Sequence, residues 1–425
     1  MKIFLDSIGC RLNQSEIERF AAQFRAAGHT IVNTAGEAEL VVVNTCTVTS
    51  AAASDSRQKI RQAARLGAGE IVVTGCWSTL EPASAATLPK VRRVVSNRDK
   101  DRLVAEVLDA PLEEFDLEPV AREPLPGSHL RTRAFIKTQD GCDNHCTFCI
   151  TRIARGAGRS ESIQTVVSDI QIALAGGTRE VVLSGVHLGS WGYDFSPRSH
   201  LRDLIRTILQ ETDVERLRLS SLEPWDLDED FFQLWENPRL CRHLHLPLQS
   251  GSEQTLHRMA RHTTPAEFRQ LIAVARQAAP GMAVTTDLIV GFPGEDEVEF
   301  AESLAFVQEM EFMGGHVFSY SARPGTPAVR LSNPVPGPIA RHRSEQMRQV
   351  LAESSTAFCA QHLGTEVSVL WEATNVYSPA GWKLHGLTDN YLRVEVHSPQ
   401  RLWNKISRVR LDRLTDQGLA GSLIE

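Results

Sequence analysis

Aromatic residues make up only 6% of this chain, cysteine supplies eight of its 425 residues, and basic side chains, 45, are outnumbered by acidic ones, 52. Each scarcity excludes something. Eight cysteines over this length are too sparse for a disulfide-stapled scaffold, and a reducing compartment leaves them free for metal or redox work. A formal charge of −7 argues against a protein that coats nucleic acid indiscriminately, while leaving room for a local basic patch. No apolar run reaches the roughly 18 residues that would span a bilayer, and no basic stretch with an apolar core follows Met1. The expectation is a cytoplasmic protein with no membrane partner. What is present, 42% hydrophobic and 23% charged residues, is ordinary for a folded chain with two or three cores.

Three regions differ in pattern. From Met1 to Asp109, KIFLDS, ELVVVNT and EIVVTG alternate with helical stretches, one of them expected to open on a capping box from Ser15 to Glu18 with Ile17, Phe20, Ala21 and Phe24 on one face. This is βαβ order, hence a parallel sheet. A proline-rich acidic stretch over 110–127 reads as a linker. The second region, 128–358, carries RAFIKT, EVVLSG, RLRLSS, HLHLPLQ, AVTTDLIVG and GGHVFSYS with helices between, such as 264–278 and 298–310. Six such units predict a partial (β/α)6 barrel. A charged helix over 339–361 leads into the last region, 359–425, where TEVSVLWE, WKLHGLT, YLRVEVHS and KISRVRLDRL predict a small OB-like β-barrel. The fold class is α/β throughout the first two regions, with the β-barrel appended.

Cys10, Cys46 and Cys76 each stand just past the carboxyl end of a predicted parallel strand, the edge where ligands bind in such sheets. One such cysteine is usually a small buried hydrophobe; three at equivalent strand ends point to a shared ligand. Cys142, Cys146 and Cys149 follow the first barrel strand in a C-x-x-x-C-x-x-C loop, at the face where barrel active sites lie. A structural zinc site normally takes four protein ligands, and no fourth cysteine or suitably spaced histidine is near; His145 reads as part of the loop. Three thiolates suit a 4Fe-4S cluster with one iron left open for a substrate or cofactor. Cys241 and Cys359 have no such partners and receive no role.

CDNHCTFC, with Cys10, Cys46 and Cys76 in the contexts GCRLNQ, NTCTVT and VTGCW, resembles the radical S-adenosylmethionine methylthiotransferases. The resemblance runs through ARGAGRS, SSLEPWD, LPLQSGS, TDLIVGFPGE and SARPGTPA into a final segment similar to a TRAM domain, so it spans essentially the whole chain. It implies two 4Fe-4S clusters, one per trio. The cluster in the barrel would bind S-adenosylmethionine and yield a 5′-deoxyadenosyl radical, and the cluster on Cys10, Cys46 and Cys76 would carry the sulfur to be methylated and inserted. It also implies tRNA, at the anticodon stem-loop, as partner, together with a reducing electron donor such as flavodoxin or ferredoxin and a sulfur donor. GCRLNQSE and SGVHLGSWGYD are similar to the branch that modifies N6-threonylcarbamoyladenosine at position 37. Other branches act on N6-isopentenyladenosine or on a ribosomal-protein aspartate, and a non-catalytic iron-sulfur protein that binds RNA or carries electrons is the alternative of another class. Trp77 and Trp191 stand where that branch often has tyrosine, and ITRIARG replaces IIPYARG, so local substrate contacts are expected to differ.

The other barrel strand ends offer candidate cofactor contacts: Ser184, Gly185, Ser221, Glu223, Gln249, Ser250 and Gly291, with Phe148 between two of the cysteines. Turn formation and packing are the plain alternatives for each. Arg131, Arg133, Arg152, Arg155 and Arg159 flank the cysteine loop and are candidates for RNA phosphates, as are Arg393, Arg408 and Arg410 in the last region, where Tyr377, Trp382, Tyr391 and Trp403 are interleaved with basic residues.

Overall fold

A computed structural model describes residues 1–109, 132–372, 376–379 and 381–424; the expected linker and Arg131 lie outside the described residues. The first unit is a five-stranded parallel sheet in the order β2-β1-β3-β4-β5, made of β1 (Lys2–Ser7), β2 (Thr30–Ile31), β3 (Leu40–Thr45), β4 (Glu70–Gly75) and β5 (Val91–Val94). Every residue of β3 is buried, as a central strand covered on both faces requires. Alternation along the strands sends Val42 and Val72 into one core with Ile17, Phe20 and Phe24, and Val41, Val43, Ile71 and Val73 into the opposite core with Ile60 and Trp77.

The helix expected to open at Ser15 begins at Arg11 and runs to Ala26. Ser15 is buried within it, and its hydroxyl donates to the Leu12 carbonyl at 2.8 Å, so the expected capping box does not form. The tertiary constraint at Gly9 overrides the local signal. Gly9 has φ +101° and passes so close to β3 that a Cβ there would lie 2.5 Å from Cys46 Sγ. The helix therefore starts directly after the turn and carries Cys10 at its cap position.

In the second unit, β6 (Arg133–Lys137) is followed by a short antiparallel pair, β7 (Gln139–Asp140) with β8 (Arg159–Ser160), which clamps the base of the cysteine loop. Then come β9 (Glu180–Ser184), β10 (Arg216–Leu219), β11 (His243–His245), β12 (Ala283–Val290) and β13 (Gly314–Ser319). They form two parallel sheets, β6-β9-β10 and β11-β12-β13, joined by parallel bridges Leu217–Leu240 and Ser221–His245. The expected partial barrel is thus present with its strands in chain order. The expected helices lie at Pro265–Ala278, Glu297–Glu309 and Gly337–Ala360.

The last unit comprises β14 (Glu366–Trp371), β15 (Tyr377–Ser378), β16 (Gly381–Thr388), β17 (Arg393–Ser398), β18 (Ile406–Thr415) and β19 (Gly418–Leu423). Five of them close as β14-β18-β19-β17-β16 and back to β14. The pattern reading missed β19, whose sequence GLAGSL has no β-branched or aromatic residue. This barrel is docked on the central one. Arg218 donates to Glu180 Oε1 at 2.7 Å and to the Asp389 carbonyl at 2.9 Å, Arg242 binds Asp389 at 2.7 Å, and Tyr391 stacks on His243 with ring centroids 4.4 Å apart. Phe358 and Cys359 join its core together with Ala283 of β12. Cys241 is likewise buried and free. Among the described residues, no helix is long and apolar enough to cross a membrane.

Candidate functional site

Both cysteine trios lie where parallel strands end, and the two strand-end faces meet. In the first unit, Cys46 follows β3 directly; its N–H donates to Ser56 Oγ at 3.0 Å, which anchors the turn to the helix Ser50–Arg65. Cys76 opens a short helix after β4 and accepts from Asn97 Nδ2 at 3.6 Å. Cys10 is open to solvent yet has Arg155, Cys76 and Glu16 within electrostatic reach. Desolvation raises its thiol pKa, with the Arg155 guanidinium opposing; burial pushes Cys46 up to about 11. The three sulfurs sense one another electrostatically.

The second trio sits in a loop held at both ends. Gly141, with φ +71°, turns the chain so tightly that a Cβ would lie 1.9 Å from the Ala157 carbonyl oxygen, and the Cys142 N–H donates to the Gly156 carbonyl at 3.1 Å. Inside the loop the Cys149 N–H donates to Cys146 O at 3.1 Å, closing a turn that brings these sulfurs to one side. Burial pushes Cys146 up to about 11, opposed by Arg261, whose Nη1 lies 3.7 Å from its sulfur. Arg261 also forks onto Glu223 at 3.1 and 2.5 Å and lies 4.6 Å above the Trp225 ring. His187 faces Cys142 and holds Asp226 Oδ2 at 2.6 Å. Burial alone would lower its pKa, but the hydrogen bonds to Asp226 and to the Cys142 sulfur push it up to about 10.

One side chain ties the trios together. Arg155, expected to meet RNA phosphate, is buried, 2% exposed, which corrects that expectation. It donates from Nη1 to Glu16 Oε1 at 3.0 Å and Asp140 Oδ1 at 2.8 Å, and from Nη2 to Asn13 Oδ1 at 2.6 Å. Glu16 also takes Lys100 Nζ at 2.7 Å. These cations hold the carboxyls of Glu16 and Asp140 below their ordinary values against the opposing effect of burial. Asn97 adds a second tie, donating to the Ala154 carbonyl at 2.9 Å.

The remaining expected residues divide. The Ser221 and Gln249 backbones make parallel bridges at the barrel mouth, and the Gly291 N–H donates to Glu295 Oε1 at 2.9 Å. Ser184 is buried beside Gly185, its hydroxyl 3.4 Å from the Val182 carbonyl, and Ser250 is buried against the helix Glu297–Glu309, 3.5 Å from Ser303 Oγ. Phe148 is half-buried and packs edge-on against Phe292. Arg152 and Arg159 are exposed beside the loop, whereas Arg133 is half-buried and paired with Glu372 at 2.8 Å. Arg393, Arg408 and Arg410 are exposed, the last two beside Glu366 and Asp412. Trp77 and Trp191 are fully buried, so the difference from tyrosine falls in the core rather than on substrate.

The sequence assigned no role to Asn13, Glu16 and His187, although they stand inside GCRLNQSE and SGVHLGSWGYD, nor to Asn97 and Arg261, which lie in no motif. The stretch SARPGTPA, Ser321 to Ala328, belongs to the family resemblance but carries no role legible in the sequence. That segment, after β13, spans the two trios: Ser321 Oγ lies 2.9 Å from Ser50 Oγ near Cys46, and the Ala328 N–H donates at 2.9 Å to the carbonyl of Thr147, beside Cys146.

The donor chemistry of each trio, three thiols, suits a 4Fe-4S cluster with one iron left open; Cys10 and Cys76 lie within electrostatic reach of Cys46, and Cys149 within reach of Cys142 and Cys146.

Comparison with known proteins gives consistent results. The family described as uncharacterized protein family UPF0004 matches residues 2–96, and the radical SAM superfamily matches residues 136–307. A threonylcarbamoyladenosine tRNA methylthiotransferase, MtaB, of Bacillus subtilis is 33% identical over 95% of this chain and 92% of its own length. The Thermotoga maritima protein of the same name is 34% identical over 87% of this chain and 86% of its own. A tRNA-2-methylthio-N(6)-dimethylallyladenosine synthase of Maricaulis maris is 30% identical over 99% and 97%. Among solved structures, the radical S-adenosylmethionine methyltransferase TsrM of Kitasatospora setae, with tryptophan and a cofactor analogue bound, aligns with TM-score 0.59 over 77% of this chain and 74% of that one; at 15% identity the likeness is one of fold.

Proposed function

The chain belongs to the radical S-adenosylmethionine methylthiotransferases, enzymes that use that cofactor and 4Fe-4S clusters, and from this membership we propose that it adds a methylthio group to C2 of N6-threonylcarbamoyladenosine at position 37 of tRNA. The observation that carries the reading is the meeting of two cysteine trios across one interface, joined by Arg155 and by the segment from Ser321 to Ala328. Cys142, Cys146 and Cys149 would hold one cluster and Cys10, Cys46 and Cys76 the other. When bound, the first cluster with S-adenosylmethionine supplies a radical that abstracts hydrogen, and the second supplies the sulfur.

The chain's own groups set the conditions for that chemistry. Ligation needs thiolates, so the upward-shifted thiols of Cys46 and Cys146 must lose protons on loading, and Arg155 and Arg261 lower that cost by placing positive charge beside each trio. The imidazolium of His187, fixed by Asp226, adds a third cation at Cys142. Glu223 is the candidate acceptor for an ammonium group of the cofactor, held by its fork with Arg261. Exposed Arg152, Arg159, Arg393, Arg408 and Arg410 would contact tRNA phosphates. A low-potential electron donor of the flavodoxin or ferredoxin kind and a separate sulfur donor complete the reaction.

Mass spectrometry of tRNA nucleosides tests this reading. A strain lacking the chain should retain threonylcarbamoyladenosine without its methylthio derivative, and the reconstituted protein should restore it. Restoration only on dimethylallyladenosine, the nucleoside in the name of the Maricaulis relative, would replace the substrate; no methylthio product on tRNA would refute it.

A further inference from the structure

Arg323 lies in the segment that bridges the two trios, three residues past Tyr320 and within electrostatic reach of Cys46. It is 9% exposed, and its Nε and Nη2 are buried without a hydrogen-bond partner among the described residues. Its backbone carbonyl accepts from the Thr326 N–H at 3.1 Å and from the Thr326 hydroxyl at 2.7 Å. Among the described residues the other buried arginines near the trios hold carboxylates, Arg155 two and Arg261 one, and of Arg261 only the single Nε is left without a partner. A guanidinium left with buried donors is costly unless something absent from the chain completes it.

The two free donors define the shape of what fits. Nε–H and Nη2–H point the same way from one edge of the guanidinium plane, and that edge takes two oxygens of a single carboxylate or phosphate in parallel. We propose that Arg323 is a substrate-binding residue whose Nε/Nη2 edge, set between the trios, grips a two-oxygen anion of the tRNA at nucleotide 37. On the reading above, on which this rests, the carrier of the anion is either the carboxylate of the threonylcarbamoyl group or the backbone phosphate of the same nucleotide. Either contact fixes the modified adenine relative to both trios.

The test uses the reconstituted full-length enzyme and three anticodon stem-loop RNAs, carrying threonylcarbamoyladenosine, its methyl ester, or isopentenyladenosine. Arg323→Gln removes the charge and Arg323→Lys keeps it without the paired donors; circular dichroism and iron content show that each variant is folded and loaded. Equilibrium binding and KM are compared with wild type. Loss of two charge-assisted hydrogen bonds should weaken binding roughly 10- to 100-fold in Gln, with partial recovery in Lys, and should raise KM more than it lowers kcat. A loss confined to the carboxylate RNA identifies the carboxylate as the anion; an equal loss on all three identifies the phosphate. Affinities within twofold of wild type for all three RNAs, or loss of iron as the primary defect, would overturn the proposal. Failure of the wild-type enzyme to methylthiolate any of the three would instead overturn the substrate reading.

Discussion

Replacing Arg155 with alanine should damage stability and one metal site together, because the side chain serves both. The substitution strips Asp140 of its close partner, leaving Lys137 at 3.6 Å and Arg159 at 3.7 Å, while Glu16 keeps Lys100 at 2.7 Å and Asn13 loses a 2.6 Å donor. Removing one member of a buried ion pair costs about 3–5 kcal/mol. The surviving cations place this case near the lower end, about 3 kcal/mol. Acid should shrink the difference. The folded pKa values of Glu16 and Asp140 are depressed, so their stabilising contribution is fully present above the unfolded carboxylate value of about 4 and drains away as pH falls through the folded values. The variant lacks most of that contribution at neutral pH and has little left to lose. Arg155 also favours the Cys10 thiolate, so the variant should lose iron from the first trio, falling from about eight irons per chain toward about four. Anaerobic denaturant titration of the iron-free protein at several pH values, with iron assay of the reconstituted protein, measures both. A loss under about 1 kcal/mol at neutral pH with full iron would refute the assignment of Arg155 as the tie between the units.

Replacing Cys142, Cys146 and Cys149 with alanine should leave about four irons on the first trio, and zinc in place of iron would count against two clusters. The Cys10, Cys46 and Cys76 triple alanine variant should still cleave S-adenosylmethionine reductively while giving no methylthio product; full product would remove sulfur transfer from the first unit. Neutralising Arg393, Arg408 and Arg410 should weaken tRNA binding and reduce the slope of log affinity against log salt by roughly 0.7 to 0.9 per lost phosphate contact, since the exposed pairs of Arg408 and Arg410 hold them only weakly. An unchanged slope would remove the last barrel from RNA binding. Tyr391→Ala should loosen that barrel, because the ring stacks on His243 and its hydroxyl accepts from Arg11 Nη2 at 2.8 Å; an unaltered melting temperature would contradict the docked arrangement.

The parallel sheet, the partial barrel and the closed β-barrel were legible because each repeats a period: LVVVNT is apolar throughout as a central strand must be, and the barrel strands recur with helices between them. The cysteine contexts were legible because spacing and strand ends are local properties. Failures came where a contact distant in sequence decided the outcome. Ser15 carries a local capping signal, yet close passage of Gly9 against Cys46 starts the helix at Arg11. Arg155 reads as one more surface cation until Glu16, 139 residues away in sequence, folds against it. Ser184 and Ser250 occupy strand ends, but the packed elements around them decide where the hydroxyls turn. The last barrel reads as a separate bead, and it is tertiary contacts, among them the arginines on β10, Arg242 and the stacking of Tyr391 on His243, that dock it. The sequence by itself determined the periodic elements, their order and the two cysteine trios, since these follow from side-chain pattern within a few residues. Only the tertiary structure decided which arginines hold carboxylates and that Arg323, among the described residues, keeps a pair of unpartnered buried donors in the segment bridging the trios, because pairing of buried charge depends on neighbours that the fold alone brings together.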